Sequence, residues 1–166
     1  MNWKKLLLLV LVTALAGGLY YYFRPTDEKR IRKQVVSLAE RVSKNAGEST
    51  ALMALKLQGL DTLFATQIEV NLKGFSHGNG VYQPEELSSL VARFRPGFRS
   101  ILLTCTDINV TLNTADSATA TFTARLRLED AEGRQSDDIR EISANLIKTE
   151  KRWGFSRFAE VAVFER

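Results

Sequence analysis

Ala118-Thr119-Ala120-Thr121-Phe122-Thr123-Ala124-Arg125-Leu126-Arg127-Leu128 alternates without a slip. Ala118, Ala120, Phe122, Ala124, Leu126 and Leu128 fall on one side, and the threonines and arginines fall on the other. That is the period of a strand with one buried and one solvated face. Reading outward, Asp130-Ala131-Glu132-Gly133 supplies turn chemistry, and strands are predicted near Ile139–Lys148 and from Trp153 to Phe164, joined by a turn at Thr149–Arg152. On the other side, Ser100–Leu112 also alternates but changes phase around Thr104–Asp107, which predicts a bulge. These segments read as an antiparallel meander.

The first half is helical. Thr26 is placed to cap a helix whose first turn holds Asp27 and Glu28, and Ile31, Val35, Leu38 and Val42 recur on one face. Asn45-Ala46-Gly47 ends it. A second helix is predicted from about Ser49 to Phe64, burying Leu52, Leu55, Leu60, Leu63 and Phe64, with Gly59 its weak point. Ile68, Val70 and Leu72 then alternate as a strand, and the glycine-rich Gly74–Gly80 segment turns toward Val81 and Tyr82. Pro84 suits the first turn of a third helix that Pro96 ends.

Helix, helix, strand, turn, helix and four strands is a distinctive order. Together with Arg140, Leu146-Ile147-Lys148 and Lys151-Arg152-Trp153-Gly154-Phe155, it resembles the nuclear transport factor 2-like superfamily, including the SnoaL-like domains, over about residues 28–164. The loop carries Glu150-Lys151-Arg152 where such domains often have aspartate and glycine before the tryptophan. The resemblance implies an α+β, cystatin-like fold: a curved antiparallel sheet wrapped by about three helices into a cone with a cavity at its wide end. Members similar in fold include isomerases, dehydratases, polyketide cyclases, non-enzymatic binding proteins and membrane-tethered periplasmic secretion-system components, so the fold leaves the function open.

Upstream, Leu6–Phe23 holds no charge, and its eighteen residues would span about 27 Å of helix, near a bilayer's hydrocarbon thickness. We divide the chain into a short tail (1–5), a transmembrane anchor or signal sequence (6–23), a linker (24–27) and one domain (28–166). Lys4, Lys5 and Ala14-Leu15-Ala16 also fit a cleaved signal, whereas Tyr20, Tyr21, Tyr22 and Phe23 suit a bilayer boundary. Arg24, Lys29, Arg30, Arg32 and Lys33 after the segment favour a cytoplasmic domain by the positive-inside rule. The short, signal-like entry favours the opposite, a single-pass inner-membrane protein with a periplasmic domain, which we take as the expectation.

The chain of 166 residues is 45% hydrophobic and 25% charged, which fits one domain with a real core and no disordered composition. Its pI near 9.3 is local: residues 24–44 carry seven cations against three acids, and residues 45–166 carry fourteen against sixteen. That distribution points away from nucleic acid and toward lipid headgroups at Arg24, Lys29, Arg30, Arg32 and Lys33, or else to an ordinary solvated helix face.

Chemistry-bearing residues are sparse. His77 is the sole histidine, but it sits among glycines in a turn with no orienting partner nearby in sequence. Asp107, Asp138 and Glu141 are strand carboxylates that could serve as acid or base if buried, and Arg140 could neutralise them. Cys105, between two threonines, reads as a small buried thiol, and Trp153 as core. One histidine and one cysteine make no usual zinc site, the glycines match no phosphate loop, and no cofactor is implied. The expectation is a membrane-anchored binding or assembly module, with membrane lipid and a second copy or other protein, met through the open sheet face, as partners. The alternative is an isomerase, dehydratase or cyclase with an acid/base group in the cone.

Overall fold

The computed structural model describes residues 26–73 and 78–161. Helix α1 runs over Asp27–Val42, with the Thr26 hydroxyl accepting from the Lys29 amide at 3.4 Å. Its apolar stripe does what the spacing predicts: Ile31 and Val35 are fully buried against the sheet, and each such side chain contributes roughly 1.5–3 kcal/mol of burial. Short helix α2, Thr50–Leu57, follows, capped by Ser49. Then come a single 3-10 turn at Asp61–Leu63, strand β1 at Phe64–Asn71 and strand β2 at Gly80–Tyr82. Helix α3 spans Pro84–Phe94, with a reciprocal capping box between Gln83 and Glu86. Strands β3 (Phe98–Leu112), β4 (Ser117–Asp130), β5 (Gln135–Thr149) and β6 (Arg152–Glu160) complete the chain order.

The six strands form one sheet in the order β2-β1-β6-β5-β4-β3. The meander β3 to β6 is antiparallel throughout. The expectation of a wholly antiparallel sheet needs one correction, because β1 pairs parallel to β6: α3 carries the chain to the far edge at β3, and the meander returns from there to lie beside β1. The concave face meets α1. Ala118, Ala120 and Phe122 of β4, Ile142, Ala144 and Leu146 of β5, and Phe155 of β6 form the core with Ile31, Val35, Leu60 and Ile68.

The phase change in β3 is a bulge. Register shifts between Thr106 and Asn109, and Asp107 takes a left-handed φ of 52°. Gly154 has a different role: a Cβ there would lie 2.8 Å from the Ala65 amide nitrogen, so only glycine lets β6 approach β1 this closely.

The second helix is shorter than its pattern predicts. It ends at Leu57, Gly59 turns at φ 70°, and Phe64 opens β1. Leu52 and Leu55 are exposed, whereas Leu60 and Phe64 reach the core from outside any α-helix. The apolar spacing had run a helix across what is a helix, a turn and a strand.

No helix among the described residues is long and apolar enough to cross a membrane. The anchor expected at 6–23 lies outside the described residues, as do Arg24 and His77.

Candidate binding cavity

The inward row of β4 continues past the dense core. Toward the open end, Ala124 is small where Phe122 is large, and space opens between β4, α1 and α3. The result is a cavity of about 320 Å³. Leu38 and Val42 of α1, Leu87 and Val91 of α3, and Leu103, Phe122 and Phe158 of the sheet supply its walls. Such an interior favours apolar ligands by removing their surface from water.

Among the described residues, charge enters only at one margin. Asp138 and Arg140 lie two residues apart on β5, so both point to the concave side. Arg140 Nε donates to Asp138 Oδ2 at 2.7 Å, and Nη1 donates to Glu160 Oε2 at 3.2 Å and to the Lys73 carbonyl. The Asp138 hydrogen bond holds the guanidinium's pKa above its ordinary value, against a smaller opposing effect of burial. Arg140 is thus shared by two carboxylates and a carbonyl.

Cys105 is the one other ionisable group in the wall among the described residues. It is half-buried rather than fully buried as its sequence setting suggests, and burial pushes its thiol to about 11, so it is neutral at physiological pH.

Of the carboxylates picked out by sequence, only Asp138 reaches the cavity. Asp107 is spent on the bulge, accepting from Thr106 Oγ1 at 3.2 Å, and is exposed. Glu141 is exposed on the outer face, opposite Thr123 in the register. The period of two that sends Asp138 and Arg140 inward sends Glu141 outward. Lys29, Arg30, Arg32 and Lys33 are all exposed along α1. Trp153 is buried as expected.

Sequence reading missed a buried ion cluster behind the cavity wall. Arg95, fully buried, donates from Nη1 to the carbonyls of Arg41 (2.7 Å), Val42 (2.8 Å) and Ser43 (3.1 Å), and from Nη2 to Glu48 Oε1. Lys56 Nζ donates to Glu48 Oε2 at 2.6 Å and to the Ser43 carbonyl at 3.1 Å. Burial pushes the Glu48 carboxyl up, but the Lys56 and Arg95 hydrogen bonds outweigh it and leave the group below its ordinary 4.5. No local motif marks this cluster, since its members come from three separate segments.

A curved six-stranded sheet, three helices and an apolar cone define a class, and solved structures share it. An NTF2-like protein with a cystatin-like fold from Novosphingobium aromaticivorans superposes with a TM-score of 0.63 at 14% identity, covering 93% of this chain and 91% of that one. A type 2 hexachlorocyclohexane dehydrochlorinase (LinA) gives 0.62 at 13%, covering 79% and 81%. A candidate scytalone dehydratase from N. aromaticivorans gives 0.60 at 14%, covering 81% and 82%. No protein-family model matches the sequence, and no curated protein matches it. Identities this low carry the fold alone: the domain has the NTF2-like, cystatin-like architecture that the order of elements suggested.

Proposed function

We propose that this chain is a membrane-tethered binding module whose cone takes an uncharged, apolar small molecule or the apolar group of a partner. The observation that supports it is the cavity's composition: apolar walls, a neutral thiol, and charges that among the described residues are confined to the shared Asp138–Arg140–Glu160 cluster. An anionic ligand would have to displace two carboxylates from Arg140, and a cationic one would have to leave most of its hydration behind among leucines and phenylalanines. The tether is the uncharged Leu6–Phe23 segment. The outer sheet face, with its Thr119, Thr121 and Thr123 row, is the proposed contact for a second copy.

Residues 26–166, which include every core residue named above, titrated with the neutral dye N-phenyl-1-naphthylamine, test the cavity. Saturable binding that Ala124→Trp weakens at least tenfold, with the melting transition retained, is the expected result. Dye uptake indifferent to Ala124→Trp would remove the reading.

A second reading is an acid/base enzyme of the dehydratase or isomerase kind, favoured by the position of Asp138 at the cavity margin and by the names of two of the similar structures. Asp138→Asn separates the two. It spares dye binding under the first reading, and under the second it lowers turnover by about 10²–10⁴-fold.

A further inference from the structure

The two ends of β5 carry opposite electrostatic arrangements. At the end where β5 begins, each arginine of the sheet and its β4–β5 turn has an acid: Arg99 with Glu129 at 3.4 Å, Arg134 with Asp130 at 2.7 Å, Arg140 with Asp138 at 2.7 Å, and Arg125 and Arg127 both with Asp137. Where β5 ends, cations outnumber acids and most are unpaired among the described residues. Lys148 Nζ holds Asp27 Oδ2 at 2.8 Å, and Gln34 Nε2 donates to the Trp153 carbonyl at 2.9 Å. Those bonds bring the first turns of α1 against the β5–β6 turn, although the two lie over a hundred residues apart in the chain. Lys29, Arg32, Lys33, Lys151 and Arg152 are exposed there and form no ion pair among the described residues, and Arg30 has only a 3.7 Å contact with Asp27. Against these six exposed cations stand Glu28, Glu150 and Asp116.

We propose that this closed end of the cone, formed by the start of α1 and the β5–β6 turn, docks on an anionic phospholipid bilayer and turns the cavity mouth away from it. Charge complementarity is one argument, since each cation near an anionic surface strengthens association about fivefold. Chain geometry is the other. The described domain begins at the same end, and the three residues between Phe23 and Asp27 reach about 10 Å at most, roughly one Debye length at physiological salt. The docking face rests on the charges of the described residues and takes only its nearness to the bilayer from the proposed tether. Asp138, ten residues back along β5 from Lys148, lies up to about 33 Å away along the strand. The mouth therefore meets the aqueous phase, and its ligand arrives from there rather than from the lipid beneath.

The test uses the full chain with Cys105→Ser, reconstituted in vesicles of phosphatidylcholine with or without one quarter phosphatidylglycerol. A fluorophore is placed at one end of β5 by Thr149→Cys or at the other by Gln135→Cys, with a quencher on the lipid headgroups. Quenching at position 149 that needs phosphatidylglycerol and is reversed by salt, with position 135 left bright, is the expected result. Lys33→Gln with Lys151→Gln lowers the docking equilibrium constant, read from the salt titration of the quenching, about 25-fold, with the melt unchanged. Equal quenching at both positions, indifference to phosphatidylglycerol, or stronger retention by a short duplex DNA than by the vesicles would each overturn it. Carbonate extraction of the same vesicles reads the tether separately. A chain that washes off after asymmetric quenching loses the tether and keeps the docking face, and a retained chain without asymmetry does the reverse.

Discussion

Helix α1 meets the rest of the domain in opposite ways at its two ends. Its start is wet: Thr26 caps it, Asp27 reaches Lys148, and the surrounding side chains are cationic and solvated. Its finish is dry: the carbonyls of Arg41, Val42 and Ser43 converge on one buried guanidinium, whose charge is balanced by Glu48 and whose position complements the helix dipole. A helix end facing water can keep its polar groups satisfied with little order. The end behind the cavity wall must bring its partners along, and Arg95 serves three carbonyls at once. The difference teaches where rigidity is built, at the end that frames the cavity, and where charge is left free for a surface.

Removing Arg95 breaks the dry end and is the largest expected effect. Arg95→Met leaves the buried Glu48 carboxylate with Lys56 as its one remaining cation and takes the guanidinium donor from the carbonyls of Arg41 and Val42, and urea unfolding of residues 26–166 should show a loss of about 3–5 kcal/mol. A loss below about 1 kcal/mol would make the two ends equivalent and undo the comparison.

Acid should attack both ends. Glu48 and Asp27 both titrate below their ordinary values of 4.5 and 3.8. For Asp27 the cause is first the Lys148 hydrogen bond and then the nearby Trp153 indole N–H, which makes no well-formed hydrogen bond of its own. A carboxylate with a depressed folded-state pKa contributes stability that is present above its unfolded pKa and lost as pH falls through the folded value. Melting temperature should therefore hold from neutrality to about pH 5 and fall below about pH 4.5. Glu48→Gln should lower the neutral-pH plateau and flatten that fall, and an unchanged acid limb would refute the assignment.

Asp27→Asn probes the wet end. Asp27 and Lys148 keep about a quarter and a fifth of their side-chain surface in water, at 26% and 21%. The expected cost is about 0.5–1 kcal/mol, measured on the same urea scale. Smallest of all, Lys33→Gln should shift stability by no more than about 0.5 kcal/mol, because the side chain is exposed and unpaired among the described residues. A larger loss there would mean that the cations of α1 support the fold.

Much of the architecture is legible in local pattern. The β4 alternation, the β3 phase change, the Thr26 cap and the Pro84 start each follow from a rule that acts within a few residues, and each appears at its expected place. The failure at Leu52 and Leu55 is of another kind. Leucines at helical spacing continue across Gly59, and only the pairing of Phe64 with Phe155 on β6 decides that a strand begins there. The site was legible in half. Asp138 could be named from sequence, and its parity with Ile142, Ala144 and Leu146 separates it from Glu141, but nothing within the strand says that a cavity opens beside it.

Period, capping and turn chemistry by themselves determined the order of elements and hence the class of fold, because those forces are local. Three matters waited for the tertiary structure, because each depends on residues distant in sequence. The parallel β1–β6 pairing joined the first strands to the meander in one six-stranded sheet. The packing of α1 and α3 over the sheet decided that a cavity opens on the side to which Asp138 points. The packing of α3's exit beneath α1 made Arg95, unremarked among so many surface arginines, the buried cap of a helix over fifty residues before it.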